Sequence, residues 1–258
     1  MHFVSTQNIL SKEIAQIIVQ SIHDATSDDI LADIRGNELF TTVSSPNRIW
    51  DFLNRNIYRA LGSANCIVGK AKRGFWQMAV VYDLSTHNII TFMREKRFAE
   101  LQRLQPQRRR MHYADMLAKN FNIDLRPDNE QLGLFQKNFS DEDRLAESVR
   151  TLLSDLTDSV DIDAIQHHVF VLFDTTGFRV TSVRAVMVTP SLEIARNCEQ
   201  DLSMYIPTFS SVIVEKVDNP DAPANQPSRG LFLKPKALER KKNRPKPKGS
   251  EMEQKNEG

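Results

Sequence analysis

Two carboxylates and a lysine in the segment 75–110 are of the residue types that hydrolyse phosphodiester bonds with the help of a metal ion. Asp83 ends one predicted β-strand, and Glu95 ends the next, with Lys96 beside it. Nucleases of the PD-(D/E)xK type place an Asp and a Glu-x-Lys on adjacent strands, so that the carboxylates hold Mg²⁺ while the lysine polarises the attacking water. Asp83 and Glu95 are therefore the candidate catalytic residues.

The detailed spacing of these residues argues against such a site. The residue two positions after Glu95 is Arg97, and Lys96 would point to the opposite face of the strand. Asp83 lies beside the turn of the predicted hairpin, whereas Glu95 lies at the far end of the partner strand, so a strand length of about 20 Å would separate them. The alternative to a nuclease is a solvated hairpin end followed by the start of a helix.

Seven basic residues follow in the same segment, between positions 94 and 110. They are Arg94, Lys96, Arg97, Arg103, Arg108, Arg109 and Arg110. Only Glu95 and Glu100 oppose them, and the planar guanidinium group of arginine is suited to phosphate. The cluster predicts a surface that binds DNA or RNA. The alternatives are a solvated face that pairs with acidic parts of the chain, and an interface with a partner protein.

The C-terminal segment 218–258 has the composition of a linker followed by a basic tail, and we expect it to be disordered. Residues 229–258 contain ten Lys/Arg and four Glu, a net charge of +6, so residues 1–228 carry −5 of the total of +1. Such a tail can bind a polyanion. Its candidate nucleic-acid contacts are Arg240, Lys241, Lys242 and Arg244. A tail that serves only solubility is the alternative interpretation.

Hydrophobic periodicity predicts a single α+β domain over residues 1–217. Apolar residues recur at helical spacing in the segments 9–23, 27–34, 44–61, 97–104, 108–121, 140–156 and 191–202. Apolar runs bounded by turn residues predict strands at 66–71, 75–83, 89–95, 167–174, 178–188 and 210–217. The first three strands form an antiparallel meander, and the next two form a second hairpin. We therefore expect antiparallel hairpins packed by amphipathic helices.

The composition disfavours several classes of function and predicts a cytoplasmic protein. The apolar runs are much shorter than a membrane span, so no membrane partner is expected, and the N-terminus lacks the pattern of a signal peptide. Cys66 and Cys198 are far apart, and His167 and His168 point to opposite faces of a predicted strand, so no metal site is expected. The chain contains no GxGxxG, GxxxxGK[ST] or GxSxG motif, and we expect no cofactor.

The segment VVYDLSTHNIITFMREKRFAELQR, residues 80–103, resembles the core segment of an uncharacterised bacterial family. The shared features are an apolar strand that ends in Tyr-Asp, a strand with TFMRE and a helix that contains an aromatic residue. The hairpin VLFDTTGFRVTSVRAV is similar to a later part of that family, so the resemblance extends over roughly residues 10–217. It implies a bacterial or phage source and transfers no activity.

The basic segments and the resemblance together predict a binding or regulatory protein inside the cell, associated with nucleic acid in a mobile-element or phage-defence system. The sequence leaves two alternatives open. The first is a metal-dependent nuclease that uses Asp83 and Glu95, and the second is an adaptor that binds a partner protein and carries an incidental basic tail. The distance between the two carboxylates discriminates between the nuclease and the binding protein.

Overall fold

The computed structural model of the protein describes residues 8–208 apart from residues 39, 63, 75, 109–110 and 128–141. Within these residues the chain forms a six-stranded β-sheet with helices on both faces. The predicted strand 210–217, the predicted domain boundary at 217 and the predicted disordered tail 218–258 lie outside the described residues. None of the described helices combines the length and the apolar composition needed to cross a membrane.

The strands follow one another across the sheet in the order of the sequence. They are β1 (Cys66–Arg73), β2 (Trp76–Asp83), β3 (Asn88–Arg94), β4 (His168–Thr176), β5 (Arg179–Val188) and β6 (Ile194–Asp201). Neighbouring strands are antiparallel except β3 and β4, which run parallel. The α+β prediction is confirmed, because the predicted meander corresponds to β1–β3 and the predicted second hairpin to β4 and β5.

Helices cover both faces of this sheet. The described helices are α1 (Lys12–Thr26), α2 (Asp28–Gly36), α3 (Ser45–Leu61), α4 (Glu95–Leu104), α5 (Tyr113–Phe121) and α6 (Glu142–Leu152). α1 and α3 share one hydrophobic core with the sheet, and α4, α5 and α6 share the core on the opposite face. The connection from β3 to β4 runs through α4, α5 and α6, and a crossover of this length allows two consecutive strands to lie parallel.

The central strands are almost continuously apolar because both of their faces are buried, as the side chains of β4 show. Val169, Val171 and Phe173 belong to the core that contains α1 and α3, whereas Phe170 and Leu172 belong to the core that contains α4, α5 and α6. Successive side chains of a strand point to opposite faces, so both sets are buried when helices cover both faces. The sheet is therefore the middle layer of three.

The helix predicted over residues 191–202 is wrong, because this segment contains β6. Leu192, Ala195 and Leu202 are buried at a spacing that also fits a helix. The segment nevertheless pairs with β5, whose far edge offers a row of backbone donors and acceptors. Local helix propensity is a weak signal, and backbone hydrogen bonds to an open strand outweigh it here.

Candidate functional site

β2 and β3 are paired only near the turn that joins them. Their register covers residues 81–83 of β2 and residues 88–90 of β3. β2 stays paired with β1 as far as Trp76, and β3 stays paired with β4 as far as Arg94. Each strand thus follows its outer neighbour, and the two strands diverge to open a fork in the middle of the sheet.

An asparagine from α3 stabilises the open part of this fork. The Asn54 Oδ1 atom accepts a hydrogen bond from the backbone N–H of Ala79 at 2.9 Å. Ala79 lies in β2 beyond the last residue that pairs with β3. A buried backbone donor without a partner is costly, so this side chain removes a penalty that would otherwise oppose the separation of the strands.

The fork opens into a cleft of about 400 Å³, which we call the fork cleft. α3 contributes to one side of it, and the first turn of α5 with the residue before it contributes to the other. Its lining residues are Trp50, Arg73, Trp76, Phe92, Met93, Arg94, Arg97, His112 and Tyr113. The fork cleft thus combines cationic with aromatic groups, and there is no carboxylate among these lining residues.

Three arginines converge on the fork cleft from three different elements. Arg73 ends β1, Arg94 ends β3, and Arg97 lies in the first turn of α4. The guanidinium carbon of Arg94 lies 4.6 Å from the ring centroid of Phe173. Burial lowers the pKa of Arg94, but a guanidinium group keeps its charge at neutral pH in proteins. The fork cleft is therefore cationic and attracts anions.

Arg73 and Arg97 retain donors that a bound anion can use. Arg73 Nη2 donates to the carbonyl oxygen of Met111 at 2.7 Å, and Arg97 Nη1 donates to Glu100 Oε2 at 2.6 Å. The Arg97 side chain is 48% exposed, so solvent screens its ion pair with Glu100 and the pair contributes little to stability. A guanidinium group has five N–H donors, and these contacts occupy only part of each set.

Aromatic rings form the apolar part of the fork cleft. The Trp76 ring is stacked on Tyr113, with centroids 5.1 Å apart and an interplanar angle of 24°. The His112 ring lies 4.4 Å from the same tyrosine. Trp50 of α3 packs edge-on against Phe173 at 5.8 Å. Trp76 is only half-buried, so a flat apolar surface is available to a planar ligand.

His112 supplies a neutral hydrogen-bond donor at the fork cleft. Its Nδ1 atom accepts the backbone N–H of Ala114 at 3.2 Å and caps α5. Burial, and then three nearby arginines, lower the pKa of His112 to about 3. The ring is therefore neutral at physiological pH and carries its proton on Nε2. Among the described residues, none is hydrogen-bonded to that Nε2.

The sequence matches the model of a family of unknown function, DUF5986, over residues 7–249. The chain belongs to the DUF5986 family. No curated protein and no solved structure matches it. The prediction of an uncharacterised family is confirmed, and the DUF5986 match covers the elements of the fork cleft as well as most of the basic tail.

Arg108, predicted to bind nucleic acid, has a structural role in this DUF5986 protein. Its Nη1 and Nη2 atoms donate to the two carboxylate oxygens of Asp115, each at 2.7 Å. Asp115 is buried and also accepts the backbone N–H of His112 at 2.8 Å. The ion pair thus fixes the start of α5, and with it the position of His112 in the fork cleft. The predicted helix 108–121 begins only at Tyr113, because His112 is extended and forms a capping box with Asp115.

Replacing Arg108 with glutamine is expected to lower the free energy of unfolding by about 2 kcal/mol. Asp115, which is 4% exposed, would lose its bidentate contact with the guanidinium group. Hydrogen bonds to charged groups contribute roughly 1.5–3 kcal/mol. Urea unfolding followed by circular dichroism measures the loss. The matched control is Arg103→Gln on the exposed side of α4, for which we expect a change within about 0.5 kcal/mol. Equal losses in both variants would contradict a structural role for Arg108.

The other predicted basic residues fall into two groups. Lys96 and Arg103 are exposed and lie about two turns apart on the solvent side of α4, away from the lining of the fork cleft. Arg109, Arg110 and the tail residues Arg240, Lys241, Lys242 and Arg244 lie outside the described residues. The structure therefore brings Arg94 and Arg97 together, and it adds Arg73. The sequence analysis missed Arg73 because it stands in a turn-like Lys-Arg-Gly break, and its charge was the only available signal.

Asp83 and Glu95 lie at opposite ends of β3. Asp83 is fully buried, pairs with Asn88 across the strands, and accepts hydrogen bonds from the backbone and hydroxyl of Ser85 at 2.8 and 2.6 Å. Glu95 follows the last residue of β3 and pairs with Arg184, whose Nε donates at 3.1 Å. Seven strand residues correspond to about 20 Å, whereas Mg²⁺ ligands lie near 2.1 Å. The two carboxylates therefore do not form one metal site in this structure.

His167 and His168, predicted to point to opposite faces of a strand, have different hydrogen-bond partners. His168 is fully buried and its Nε2 lies 2.9 Å from Thr91 Oγ1, whereas His167 Nε2 lies 3.2 Å from Asp124 Oδ2.

The sequence analysis missed a different group of potential metal ligands. His23, Asp24 and Asp28, at the junction of α1 and α2, bring potential metal-ligand atoms within 4.8 Å of one another. His23 is buried and Asp28 is exposed.

Proposed function

We propose that this DUF5986 protein binds nucleic acid, DNA or RNA, through the fork cleft. The observation that carries the proposal is the convergence of Arg73, Arg94 and Arg97 beside stacked aromatic rings, with no carboxylate among the lining residues. Arginine recognises phosphate through its planar array of donors, and aromatic rings stack on bases. A phosphate group and the base beside it are the ligand groups that match this pair of surfaces.

The charge distribution of the chain supports the same proposal. Residues 1–228 carry a net charge of −5, and this net charge disfavours binding of a polyanion. A local cationic cleft in such a body attracts the nucleic acid to one place. The basic segment 229–258, with its net charge of +6, adds affinity that does not depend on sequence in this proposal.

The proposed setting is the cytoplasm of a bacterium, in a mobile-element or phage-defence system where the protein acts as a binding or regulatory component. Its support is the resemblance of residues 80–103 to a bacterial family. Cys66 and Cys198 are free thiols, which agrees with a reducing compartment.

The test of the proposal is a double variant, Arg73→Gln with Arg97→Gln, in the full-length chain. Charge-assisted hydrogen bonds contribute roughly 1.5–3 kcal/mol each, so we expect binding of a single-stranded oligonucleotide at about 50 mM salt to weaken by at least about a hundredfold. The slope of log K against log salt should become shallower by about 0.7, since the two arginines hold one phosphate and each neutralised phosphate of a single strand contributes about 0.7. Fluorescence anisotropy at several salt concentrations measures both quantities.

The matched control is Lys96→Gln with Arg103→Gln, which removes the same charge from the solvent side of α4. Both double variants change the net charge equally, so a loss of affinity confined to the first one assigns binding to the fork cleft. Equal losses would contradict the fork cleft as the site. If the unmodified protein fails to bind DNA and RNA at about 50 mM salt, where phosphate contacts are strong, the proposed function is wrong.

A further inference from the structure

We infer that the fork cleft takes one unpaired nucleotide of a single strand, with its base stacked on Trp76, and that it does not take paired bases. This inference rests on the proposed function and narrows it to a class of nucleic acid. It concerns the shape of the cleft and its aromatic surface, whereas the proposed function depends on the arginines.

The size of the fork cleft limits which nucleic-acid groups can enter it. Its volume of about 400 Å³ lies near the lower end of the roughly 300–1,000 Å³ that small-molecule sites occupy. Trp50 stands on the side of α3, and Tyr113 on the side of α5. The cleft therefore lies between two layers of helices, in the plane of the sheet. A base can enter it when it projects from its strand, whereas a base in a duplex must first leave its stack and its partner, at a cost in free energy.

The aromatic surface of the fork cleft also favours an unpaired base over a paired one. Tyr113 supports one face of the Trp76 ring at a centroid distance of 5.1 Å. The half-buried indole can then offer its other face to a base. Stacking on one aromatic side chain is tolerant of sequence, because every base has a flat π-face, and it is worth about tenfold to a hundredfold in affinity. Both faces of a base become available only when it is unpaired and unstacked.

The polar groups complete the fit to a single nucleotide. Arg73 and Arg97 supply charged donors for one phosphate, while His112 Nε2 supplies one neutral N–H donor. Because its Nδ1 atom is occupied by the N–H of Ala114, the tautomer of His112 does not change with the ligand. A neutral donor suits an uncharged acceptor on a base or sugar, next to the anionic phosphate that the arginines hold.

The intrinsic tryptophan fluorescence of the protein can report this binding, because its two tryptophans both line the fork cleft. A base stacked on Trp76 is expected to quench the tryptophan fluorescence of the full-length protein. The probes are a 12-nucleotide oligo-dT strand, a 12-base-pair blunt duplex and inorganic phosphate. The oligo-dT strand should quench strongly, and phosphate should bind at least a hundredfold more weakly than the strand.

The variants are Trp76→Ala and Trp76→Phe, with binding followed by anisotropy. Trp76→Ala should weaken binding of the single strand by about tenfold to a hundredfold and leave its salt slope unchanged, because stacking releases no counterions. Trp76→Phe keeps an aromatic face and should retain most of the affinity, which separates loss of stacking from loss of folding. The affinity for a duplex that binds through the basic tail should be the same in both variants as in the unmodified protein.

Two outcomes would overturn the inference and leave the proposed function standing. One is that Trp76→Ala weakens duplex binding as much as single-strand binding, which would place paired bases in the cleft. The other is that Trp76→Ala leaves single-strand binding unchanged while Arg73→Gln with Arg97→Gln abolishes it, which would reduce the cleft to a phosphate site. If no probe binds the unmodified protein, the proposed function fails and the inference fails with it.

Discussion

Replacing Asn122 with alanine is expected to lower the free energy of unfolding by about 4 kcal/mol. Asn122 follows α5 and is fully buried. Its Nδ2 donates to the carbonyl oxygens of His168 and Val188 at 3.0 and 2.9 Å, and its Oδ1 accepts the N–H of His168 at 2.8 Å. One side chain thus joins the first residue of β4, the last residue of β5 and the end of α5.

Alanine at this position would remove a hydrogen bond from each of three backbone groups in the interior. A buried polar group that loses its partner costs roughly 1–3 kcal/mol, so the combined loss exceeds that of a typical substitution. Urea unfolding measures it. Asn120→Ala, at a half-buried position in the last turn of α5, is the control, with an expected loss of under about 1 kcal/mol. A loss of that small size for Asn122→Ala would show that the strands do not depend on this bridge.

Acidification is expected to remove about 3 kcal/mol of stability between pH 6.5 and pH 4 through His168 alone. This side chain is fully buried, and burial lowers its pKa to about 3. The unfolded chain binds a proton at this residue below about pH 6.5, whereas the folded protein does not until about pH 3. The unfolded state therefore holds more protons in this window, and stability falls as pH falls, by about 1.4 kcal/mol per pH unit. Above pH 6.5 the residue contributes no pH dependence.

The control for this prediction replaces both partners of the buried hydrogen bond, Thr91→Val with His168→Leu. Exchanging both members of such a pair for apolar groups can be nearly neutral for stability. Carboxylates and His112 also titrate on acidification, and they do so in both proteins. The measurement is the slope of unfolding free energy against pH between 6.5 and 4, which should be shallower in the double variant by about 1.4 kcal/mol per unit. Parallel slopes would show that His168 is already protonated in the folded protein.

Local patterns were sufficient to predict most helices and strands. In α3, Ile49, Leu53, Ile57 and Leu61 recur every four residues, and all four are buried. In the first meander, polar turns separate apolar runs, and Gly74 takes the positive φ of 62° that one of those turns requires. These signals succeed because hydrophobic spacing reports which face of an element is buried.

The same patterns failed at β6, and in the basic cluster they did not show which charges share one surface. The segment 191–202 contains a strand because it pairs with β5, and the residues of β5 lie outside this segment. Along α4, neighbouring residues project in different directions, so Arg97 reaches the fork cleft while Lys96 faces solvent. Arg108 pairs with the buried Asp115. Counting charges in a window predicts a basic surface, but it does not predict which charges share it.

The sequence by itself determined most of the helices and strands, the α+β class, the charge asymmetry between body and tail, and the separation of Asp83 from Glu95. Those features depend on neighbours within a few residues of each other, or on composition. Only the tertiary structure decided that β3 pairs with β4 and parts from β2, and that Arg73 joins Arg94 and Arg97 there. Periodicity specifies that a face must be buried without specifying its partner. The fork cleft therefore arises from contacts between residues that are far apart in the chain, and no local pattern encodes it.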